Sequence, residues 1–216
     1  MLELYLIRHA EAESNLNPDI CGGQSIRVPL TPRGVRQAAA LQERLAREDV
    51  VFDVIRRSTA DRTAMTALYA LSSQPTYPTH TATENLLEIH QGAFTGKAWS
   101  QVYTPDVLAA IKADPWTFRS PGGESQEDVA RRMWRETEDL IEMFHRQGDK
   151  PLTAAFVTHG LAIKAWMRQL LQFDKRFTWL IEIDNASITQ FNYRLVHGKH
   201  VWIPVRVNDA AHIRGI

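Results

Sequence analysis

The chain has 216 residues, of which 44% are hydrophobic and 23% charged, a composition typical of a globular protein with a sizeable core. Its 25 basic residues balance 25 acidic ones, so the overall charge gives no reason to expect nucleic acid or membrane binding. Any anionic ligand must therefore be held by a local cluster of charges. The sequence contains no linker, repeat or low-complexity stretch, which favours a single domain over residues 1–216.

Cysteine usage and hydropathy bear on the cellular location. The only cysteine, Cys21, excludes an internal disulfide and fits a reducing compartment. The N-terminus lacks the pattern of a signal peptide, and no apolar run approaches the roughly 20 residues of a membrane-spanning helix. We therefore expect a cytoplasmic protein with no membrane partner. The sequence indicates nothing about oligomeric state.

Strand-like and helix-like patterns alternate along the chain. The apolar run over residues 1–7 predicts a buried strand, and a Gly-rich irregular stretch follows over residues 15–30. Thr31 can cap a helix and Pro32 suits its first turn, so a helix is predicted from Pro32 to about Arg47. The next patterns predict, in chain order, a strand in "VVFDVIRRS", a helix in "ADRTAMTALYAL", a short strand that begins "TATENLLEIHQG", and a long amphipathic helix in "GGESQEDVARRMWRETEDLIEMFHRQ".

The last third of the sequence completes the predicted fold. Ser125 and Asp128 form a capping pattern at the start of the long helix, and "LTAAFVTHGLAIKAWMRQLL" predicts a buried strand that turns into a helix. "SITQFNYRL" and "HVWIPVRV" predict an antiparallel hairpin, joined around residues 197–199, at one side of the sheet. This alternation predicts an α/β fold, a three-layer α/β/α sandwich with a mostly parallel central sheet.

Three predicted strands end in the same kind of chemistry. Arg8 and His9 end the first strand in "LIRHAEAESN", Arg62 follows the strand that leads into "RRSTADR", and His159 follows the strand that ends in "VTHG". Each residue alone has an ordinary interpretation, such as a strand end that reaches solvent. Ligands of open α/β sheets, however, bind at the carboxyl ends of strands, beside helix N-termini. Two arginines and two histidines at one such edge predict a pocket for a dianion, for which phosphate is the best fit.

These residues carry a resemblance to the histidine phosphatase superfamily, which has the phosphoglycerate mutase-like fold. "LIRHAEAESN" resembles the family's Arg-His-Gly-Glu signature with the Asn that follows it, "RSTADRTAMTA" resembles its Ser-Pro-Leu-x-Arg-Thr segment, and "VTHGLAI" resembles its second histidine motif. "GGQSIRVPLTPRGVRQA", "LLEIHQGAFTG" and "PGGES" are similar to further family segments. The matches occur in the family's order and cover most of the chain, so together they are far more specific than any single motif.

The resemblance implies a role for each matching residue. His9 would be the nucleophile that becomes phosphorylated, and Glu88 would be the proton donor. His159 would be catalytic as the cationic partner of the bound dianion. Arg8 and Arg62 would clamp the phosphoryl oxygens and, as neighbouring cations, lower the pKa of His9 so that it stays unprotonated. The predicted phosphate-binding residues are Arg8, Asn15, Arg62, His159 and Gly160.

Some positions depart from the family pattern or stay open. Ala10 replaces the usual glycine, and Thr59 and Ala60 replace Pro-Leu before the arginine, which puts the shape of these loops in question rather than their chemistry. Glu11 and Glu13 could form a carboxylate pair, but structural or solvated roles are favoured for them because another glutamate matches the family's acid.

The predicted substrate contacts are Gln24, His90, Trp99 and Tyr103. For His90, contact with substrate and capping of its loop are equally favoured. Trp99 and Tyr103 belong to a predicted cap-like insertion at about residues 96–123, which also contains Trp116 and Phe118. Because these aromatic residues have helical spacing, packing is the more common role for them, although they could also cover the leaving group.

The resemblance implies a metal-independent phosphomonoester hydrolase of the histidine acid phosphatase type. It would act on a small phosphorylated metabolite through a phosphohistidine intermediate and need no cofactor. The eight histidines show no metal-ligand spacing of the HExxH or Cys/His kind, so no metal site is predicted.

Two alternatives to the hydrolase are kept. In the cofactor-dependent phosphoglycerate mutases the resemblance implies a longer insertion before the second histidine and an Asn after His-Gly. Here only 71 positions separate Glu88 from His159, and Leu161 follows Gly160, which favours the hydrolase. The other alternative is a phospholigand-binding protein without turnover, which is disfavoured because the nucleophile, the acid and both arginines are present.

Overall fold

A six-stranded sheet organises the computed structural model, which describes residues 1–72, 74 and 79–216. The strands are β1 (Leu2–Arg8), β2 (Val54–Ser58), β3 (Thr79–Thr83), β4 (Leu152–Thr158), β5 (Ile188–Val196) and β6 (Lys199–Asp209). Their order across the sheet is β3-β2-β4-β1-β5-β6. The first four strands run parallel to one another, whereas β5 is antiparallel to both of its neighbours. The predicted α/β class with a mostly parallel sheet is confirmed.

The helices assigned in the described part of the chain are α1 (Pro32–Arg47), α2 (Asp61–Leu71), α3 (Trp99–Val102), α4 (Pro105–Ala113), α5 (Gln126–Arg146) and α6 (Gly160–Leu171). The side-chain oxygen of Thr31 accepts a hydrogen bond from the N–H of Gly34, 2.9 Å away, and so caps α1 as predicted. Ser125 and Asp128 form the expected reciprocal cap of α5. None of the helices among the described residues combines the length and apolarity that a membrane span requires.

The structure corrects several predicted bounds. The first strand continues through Arg8, and the second begins at Val54 rather than Val50 because the N–H of Phe52 bonds to the side chain of Gln74 instead of to a strand. The sequence patterns did not predict α3 or α4. The first is a single turn, and the second has only partly buried side chains such as Val107, so neither shows a broad buried apolar stripe. The antiparallel hairpin of β5 and β6 is confirmed at one side of the sheet.

Helices cover both faces of the sheet because successive side chains of each strand point to opposite faces. Leu2, Leu4 and Leu6 of β1 belong to the core cluster that includes side chains of α5 and α6. Tyr5 and Ile7 of the same strand belong to a second cluster, with side chains of α1 and α2. The result is the predicted three-layer arrangement, and it leaves the two ends of the strands as the places where polar chemistry can be exposed.

The register of the sheet aligns the strand ends that matter. Arg8 pairs with Thr158, and Arg57 pairs with Val157, so β1, β4 and β2 end level with one another. The residues that directly follow these strands are therefore brought to one edge of the sheet, as the sequence predicts.

A buried ion pair fixes the segment that leads from β3 towards this edge. Arg56 Nη1 lies 2.6 Å from Glu136 Oε2, and the two side chains are only 11% and 9% exposed. The other oxygen of Glu136 accepts hydrogen bonds from Thr83 Oγ1 at 2.9 Å and from Asn85 Nδ2 at 2.8 Å. The backbone that precedes the predicted acid, Glu88, is thus attached to α5.

We expect Glu136→Ala to destabilise the fold by at least about 2 kcal/mol, because it leaves the buried Arg56 without its main partner. The loss should fall short of the roughly 3–5 kcal/mol that breaking a buried pair often costs, since Asp139 lies 3.5 Å from the same guanidinium nitrogen. Urea unfolding measures the difference. Glu142→Ala removes an exposed ion pair with Arg146 on the same helix and should change stability by less than about 0.5 kcal/mol. Equal losses in the two variants would contradict this interpretation.

Candidate active site

His9 is buried directly after β1, where its N–H donates to the carbonyl of Thr158 at 2.9 Å. Its side-chain Nδ1 lies 2.8 Å from the carbonyl oxygen of Ala10, which can only accept a hydrogen bond, so Nδ1 carries the proton. Its Nε2 accepts a hydrogen bond from Nε of Arg62, 3.3 Å away. Both contacts require the neutral tautomer with the lone pair on Nε2, the atom that faces the arginine.

Arg62 lies between the two imidazoles. Its Nη2 is 3.2 Å from Nδ1 of His159, and its Nη1 donates to the carbonyl oxygen of Ser25 at 2.5 Å. Because a guanidinium only donates, Nδ1 of His159 must accept, which leaves the ring proton on Nε2. That nitrogen lies 2.8 Å from Oγ of Ser58, the last residue of β2. The centroids of the two imidazole rings are 5.1 Å apart. The two histidines thus lie close together at one edge of the sheet, as the sequence predicts.

Burial and nearby cations set the protonation of this cluster. Burial is the main reason that the pKa of His9 lies well below its ordinary value, and Arg8 and Arg62 lower that pKa further. The pKa of His159 is likewise lowered well below its ordinary value, first by burial and then by Arg62. Both arginines stay charged at neutral pH, since a guanidinium does not deprotonate in proteins. The pocket therefore combines two fixed cations with two neutral imidazoles.

Arg8 has an unused hydrogen-bond donor in this pocket. Its Nη1 donates to the carbonyl oxygen of Ile183 at 2.5 Å, but its buried Nε has no partner among the described residues. Gly160, the first residue of α6, approaches the same group so closely that a Cβ there would lie 3.4 Å from Arg8 Nε. The first N–H groups of a helix have no acceptor within it. A buried cation with a free donor beside a helix N-terminus is suited to bind an anion.

Glu88 is half-buried and is held by two backbone donors. Its Oε1 accepts from the N–H of Ile89 at 2.9 Å, and its Oε2 accepts from the N–H of Leu161 in the first turn of α6 at 3.1 Å. Burial lowers the pKa of both Arg8 and Arg62, and the negative charge of Glu88 partly opposes that effect. The carboxylate predicted as the acid therefore faces the cationic cluster.

Asn15 is fixed near His9 through its side-chain oxygen. Oδ1 accepts from the N–H of Ala12 at 2.9 Å and from Nδ2 of Asn185 at 3.3 Å, and the same Nδ2 also donates to the carbonyl oxygen of His9 at 3.0 Å. With Oδ1 occupied, Nδ2 is the atom that Asn15 can offer to a phosphate.

Gln24 is the one predicted substrate contact that lines a cleft beside these residues. The cleft has a volume of about 430 Å³, and its lining residues are Gln24, Ile26, Glu84, Asn85, Leu87, Glu124, Asp128, Arg131, Arg132 and Arg135. Its walls are mainly polar and charged. The predicted catalytic residues are not among its lining residues, but the lining residue Arg132 donates to the carbonyl oxygen of Glu88 at 2.9 Å, which places the cleft near the predicted acid.

The other predicted substrate contacts are engaged elsewhere. Nδ1 of His90 lies 3.2 Å from the carbonyl oxygen of Gly122, which favours its loop-capping role. Trp99 packs against Tyr103, with ring centroids 5.1 Å apart, and Tyr103 packs in turn against Phe94. Burial raises the pKa of Tyr103. These contacts favour the packing role for Tyr103, whereas Trp99 is 50% exposed, and neither of them lines the cleft.

Three residues of the site were missed by the sequence reasoning. Ser58 bonds to His159, and its only signal was its place in the "RRSTADR" motif. Asn185 holds Asn15, and Arg132 bonds to the carbonyl oxygen of Glu88 at 2.9 Å. These two had no signal because their partners are distant in the chain.

Glu11, which could have formed a carboxylate pair with Glu13, has the structural role that the sequence favours. Its Oε1 accepts from Thr31 Oγ1 at 2.7 Å, and its Oε2 accepts from Arg33 Nη1 at 2.5 Å. These bonds fix the start of α1 rather than taking part in the cluster around His9.

Comparison with known proteins identifies the family that has this fold and site. The profile of the histidine phosphatase superfamily (branch 1) matches residues 4–209, and the chain belongs to this superfamily. Phosphoserine phosphatase 1 of Hydrogenobacter thermophilus is 28% identical over 207 residues, covering 91% of this chain and 87% of that protein. A probable phosphoglycerate mutase GpmB of Yersinia pestis is 26% identical over 226 residues, covering 99% of this chain and 95% of the other.

A solved structure supports the same assignment. A mutant phosphoserine phosphatase from Entamoeba histolytica, in complex with phosphoserine, aligns with a TM-score of 0.77 and 26% identity, covering 98% of this chain and 99% of that one. The predicted superfamily resemblance is therefore confirmed along nearly the whole chain.

The buried neutral histidines predict a stability that falls as the solution becomes acidic. The unfolded chain protonates its histidines near pH 6.5, whereas the folded pKa values of His9 and His159 lie well below that. Between these values the unfolded state binds more protons, so each histidine should reduce the free energy of unfolding by about 1.4 kcal/mol per pH unit below about 6.5. In His159→Gln the loss of stability between pH 7 and 5.5 should be smaller by about 1 kcal/mol, as measured by urea unfolding.

The matched control is His90→Gln, which replaces an exposed histidine and should leave the slope unchanged. Nitrogen chemical shifts of the imidazoles provide an independent check on the wild type. Protonation of His9 or His159 near pH 6.5 in the folded protein would contradict the assigned tautomers.

Proposed function

We propose that the protein is a phosphatase that hydrolyses phosphomonoesters through a phosphohistidine intermediate on His9, with no metal ion or cofactor. The observation that carries this proposal is the buried, neutral imidazole of His9, whose Nε2 lone pair faces a fixed cation. A nitrogen must be unprotonated to attack phosphorus, and the lowered pKa of His9 meets that requirement near neutral pH. The arginines supply the positive charge that a metal ion provides in other phosphoryl-transfer sites.

Substrate binding would release the nucleophile. Arg62 Nε donates to Nε2 of His9, so an incoming phosphoryl group must take over this N–H before attack can occur. The exchange is favourable, because a charge-assisted bond to a phosphoryl oxygen is stronger than a bond to a neutral imidazole. In the first step Nε2 forms a bond to phosphorus, and the bond between phosphorus and the leaving oxygen breaks with its electron pair on that oxygen.

The remaining donors fit the developing charge. Arg8 Nε, the N–H of Gly160 and the amide of Asn15 would bind the equatorial oxygens, where positioning and neutralisation govern phosphoryl transfer. The negative charge of the phosphoryl group would raise the pKa of His159. Once protonated, His159 could donate from Nδ1 to an oxygen while its Nε2–H stays bonded to Ser58.

Glu88 would serve first as acid and then as base. Held by the N–H groups of Ile89 and Leu161, the carboxylate would take up a proton from solvent when the substrate dianion binds and give it to the leaving oxygen. It would then accept a proton from the water that attacks phosphorus and breaks its bond to Nε2 of His9. The leaving group would extend into the cleft lined by Gln24, whose polar and charged walls suit a small phosphorylated metabolite.

The relatives support this substrate class and leave one rival. Their names include both a phosphoserine phosphatase and a probable phosphoglycerate mutase, and both names refer to small phosphorylated acids. The short segment between Glu88 and His159, and Leu161 in place of an Asn, favour the phosphatase. The histidine acid phosphatase type, the cap-like role of residues 96–123 and the cytoplasmic location stay predictions.

We expect the purified protein to hydrolyse an aryl phosphate at mildly acidic to neutral pH, with vanadate as an inhibitor and with a rate unaffected by chelator. A panel of sugar phosphates, phosphoglycerates, nucleotides and phosphorylated amino acids would then identify the substrate class. Loss of turnover with chelator and its recovery with a divalent ion would refute the metal-free mechanism. Conversion of 3-phosphoglycerate to 2-phosphoglycerate in the presence of bisphosphate, at a rate that rivals hydrolysis, would favour the mutase.

The variant Glu88→Gln should slow the two chemical steps, phosphorylation of His9 and hydrolysis of phosphohistidine, to different extents. An aryl leaving group needs little protonation, whereas hydrolysis of phosphohistidine still needs a base, so the phosphoenzyme should accumulate with an aryl phosphate. An alkyl phosphate should give slow turnover without such a burst. Quenched-flow labelling and mass mapping of an acid-labile adduct provide the measurement.

Two further variants serve as controls for that experiment. Glu84→Gln, which replaces an exposed carboxylate of the cleft wall, should show no accumulation. His9→Ala should abolish the label. A label on His159, or an undiminished label in His9→Ala, would show that the nucleophile is wrongly assigned.

A further inference from the structure

A second cluster of histidine and carboxylate side chains lies at the edge of the sheet opposite the candidate active site. His145 is in the last turn of α5, Asp149 is in the turn that follows, and His200 is near the start of β6. The candidate ligand atoms of these three residues all lie within 4.8 Å of one another. The proposed phosphatase chemistry uses none of them.

One carboxylate faces both imidazoles. Asp149 Oδ1 lies 2.7 Å from Nδ1 of His145, and its Oδ2 lies 3.6 Å from Nε2 of His200. The backbone of Asp149 has a φ of 57°, a left-handed conformation that aspartate tolerates better than most residues, and its N–H donates to the carbonyl oxygen of Phe144 at 3.1 Å. The turn therefore holds the carboxylate between the helix and the hairpin.

Aromatic packing holds the cluster on its inner side. The ring of His200 stacks on Tyr193, with centroids 5.1 Å apart and planes 20° apart, and Phe144 meets the same imidazole edge to face. The side chains of His145, Asp149 and His200 are 41%, 47% and 22% exposed. The site is thus partly fixed by neighbours yet open to ions from solution.

This donor set has the chemistry of a transition-metal site. Two imidazole nitrogens and one carboxylate oxygen suit Zn²⁺, whereas Mg²⁺ and Ca²⁺ prefer oxygen ligands throughout. Bond lengths of about 2.0–2.1 Å to a tetrahedral ion place neighbouring ligand atoms roughly 3.4 Å apart, which small side-chain rotations can reach from the observed positions. We propose that His145, Asp149 and His200 form a binding site for a divalent transition-metal ion such as Zn²⁺, with water completing the coordination.

The position of the site predicts a structural effect. A bound ion would join the end of α5 to the hairpin of β5 and β6, two elements that are distant in the sequence. Binding through Nδ1 of His145 would displace the hydrogen that this nitrogen shares with Asp149, and the ring would carry its hydrogen on Nε2 instead. Because the active-site residues follow the opposite ends of the strands, the ion should raise thermal stability without entering the phosphoryl-transfer chemistry.

The test is a Zn²⁺ titration of chelator-treated full-length protein in competition with a chromophoric chelator. Wild type should bind one Zn²⁺ per chain at this site. Asp149→Asn keeps a residue that tolerates the left-handed turn but removes the charged ligand, and His200→Ala removes an imidazole. Each variant should bind at least about tenfold more weakly, since even the loss of a residue that only supports a ligand costs about that much. His90→Ala, an exposed histidine outside the cluster, is the matched control and should bind like wild type.

Thermal unfolding gives a second readout. At a free Zn²⁺ concentration about 100-fold above the Kd, the Tm of wild type should rise by roughly 5 °C or more, and the Tm of His200→Ala should rise less. Circular dichroism of the metal-free variants checks that they are folded. Wild type without stoichiometric binding, or His200→Ala with undiminished affinity, would overturn the proposal. Binding lost in His9→Ala but kept in His200→Ala would instead assign the ion to the active site.

Aryl phosphate hydrolysis, measured in parallel, keeps this proposal separate from the proposed function. His200→Ala should hydrolyse the ester at the wild-type rate at temperatures well below its Tm. A protein that binds Zn²⁺ at this cluster but hydrolyses no phosphate ester would contradict the phosphatase proposal and leave the metal site supported.

Discussion

The geometry of the candidate active site depends on the hydrogen bonds of Arg62, whose guanidinium is buried between two neutral imidazoles. A cation in such a place is stable only if its N–H groups find acceptors, and the structure supplies His9, His159 and the carbonyl oxygen of Ser25. Those bonds in turn fix both histidine tautomers. The same group therefore orients the proposed nucleophile, helps to lower its pKa and supplies charge for the phosphoryl oxygens.

The positive charge of this site comes from the residues that line it, because the chain as a whole has no net charge. Arg8 and Arg62 lie at one edge of the sheet, and the negative charge of Glu88 partly balances both of them. An anionic substrate would relieve the remaining excess of positive charge. In the proposed function, selectivity for phosphate would follow from where three strands end, and the composition of the chain would have little influence on it.

The sequence could predict the elements whose signals are local. Thr31 and the Ser125–Asp128 pair mark helix starts through hydrogen bonds that span three residues, and they were placed correctly. The ends of the strands that lead to His9 and His159 were also predicted to within one residue, because apolar runs stop there. In contrast, α4 was missed since none of its side chains is fully buried, and periodicity indicates a helix most clearly through the face that it buries.

For the sites, the sequence by itself determined which chemical groups the protein has and which strand ends carry them. Only the tertiary structure decided that Arg62 lies between the histidines, that Ser58 and Asn185 support them, and that Trp99 packs on Tyr103 outside the cleft. The second cluster, of His145, Asp149 and His200, shows the same limit, because no spacing rule connects a helix end to a hairpin more than 50 residues later. Local patterns are fixed by hydrogen bonds between near neighbours, whereas such contacts exist only once the sheet has set its register.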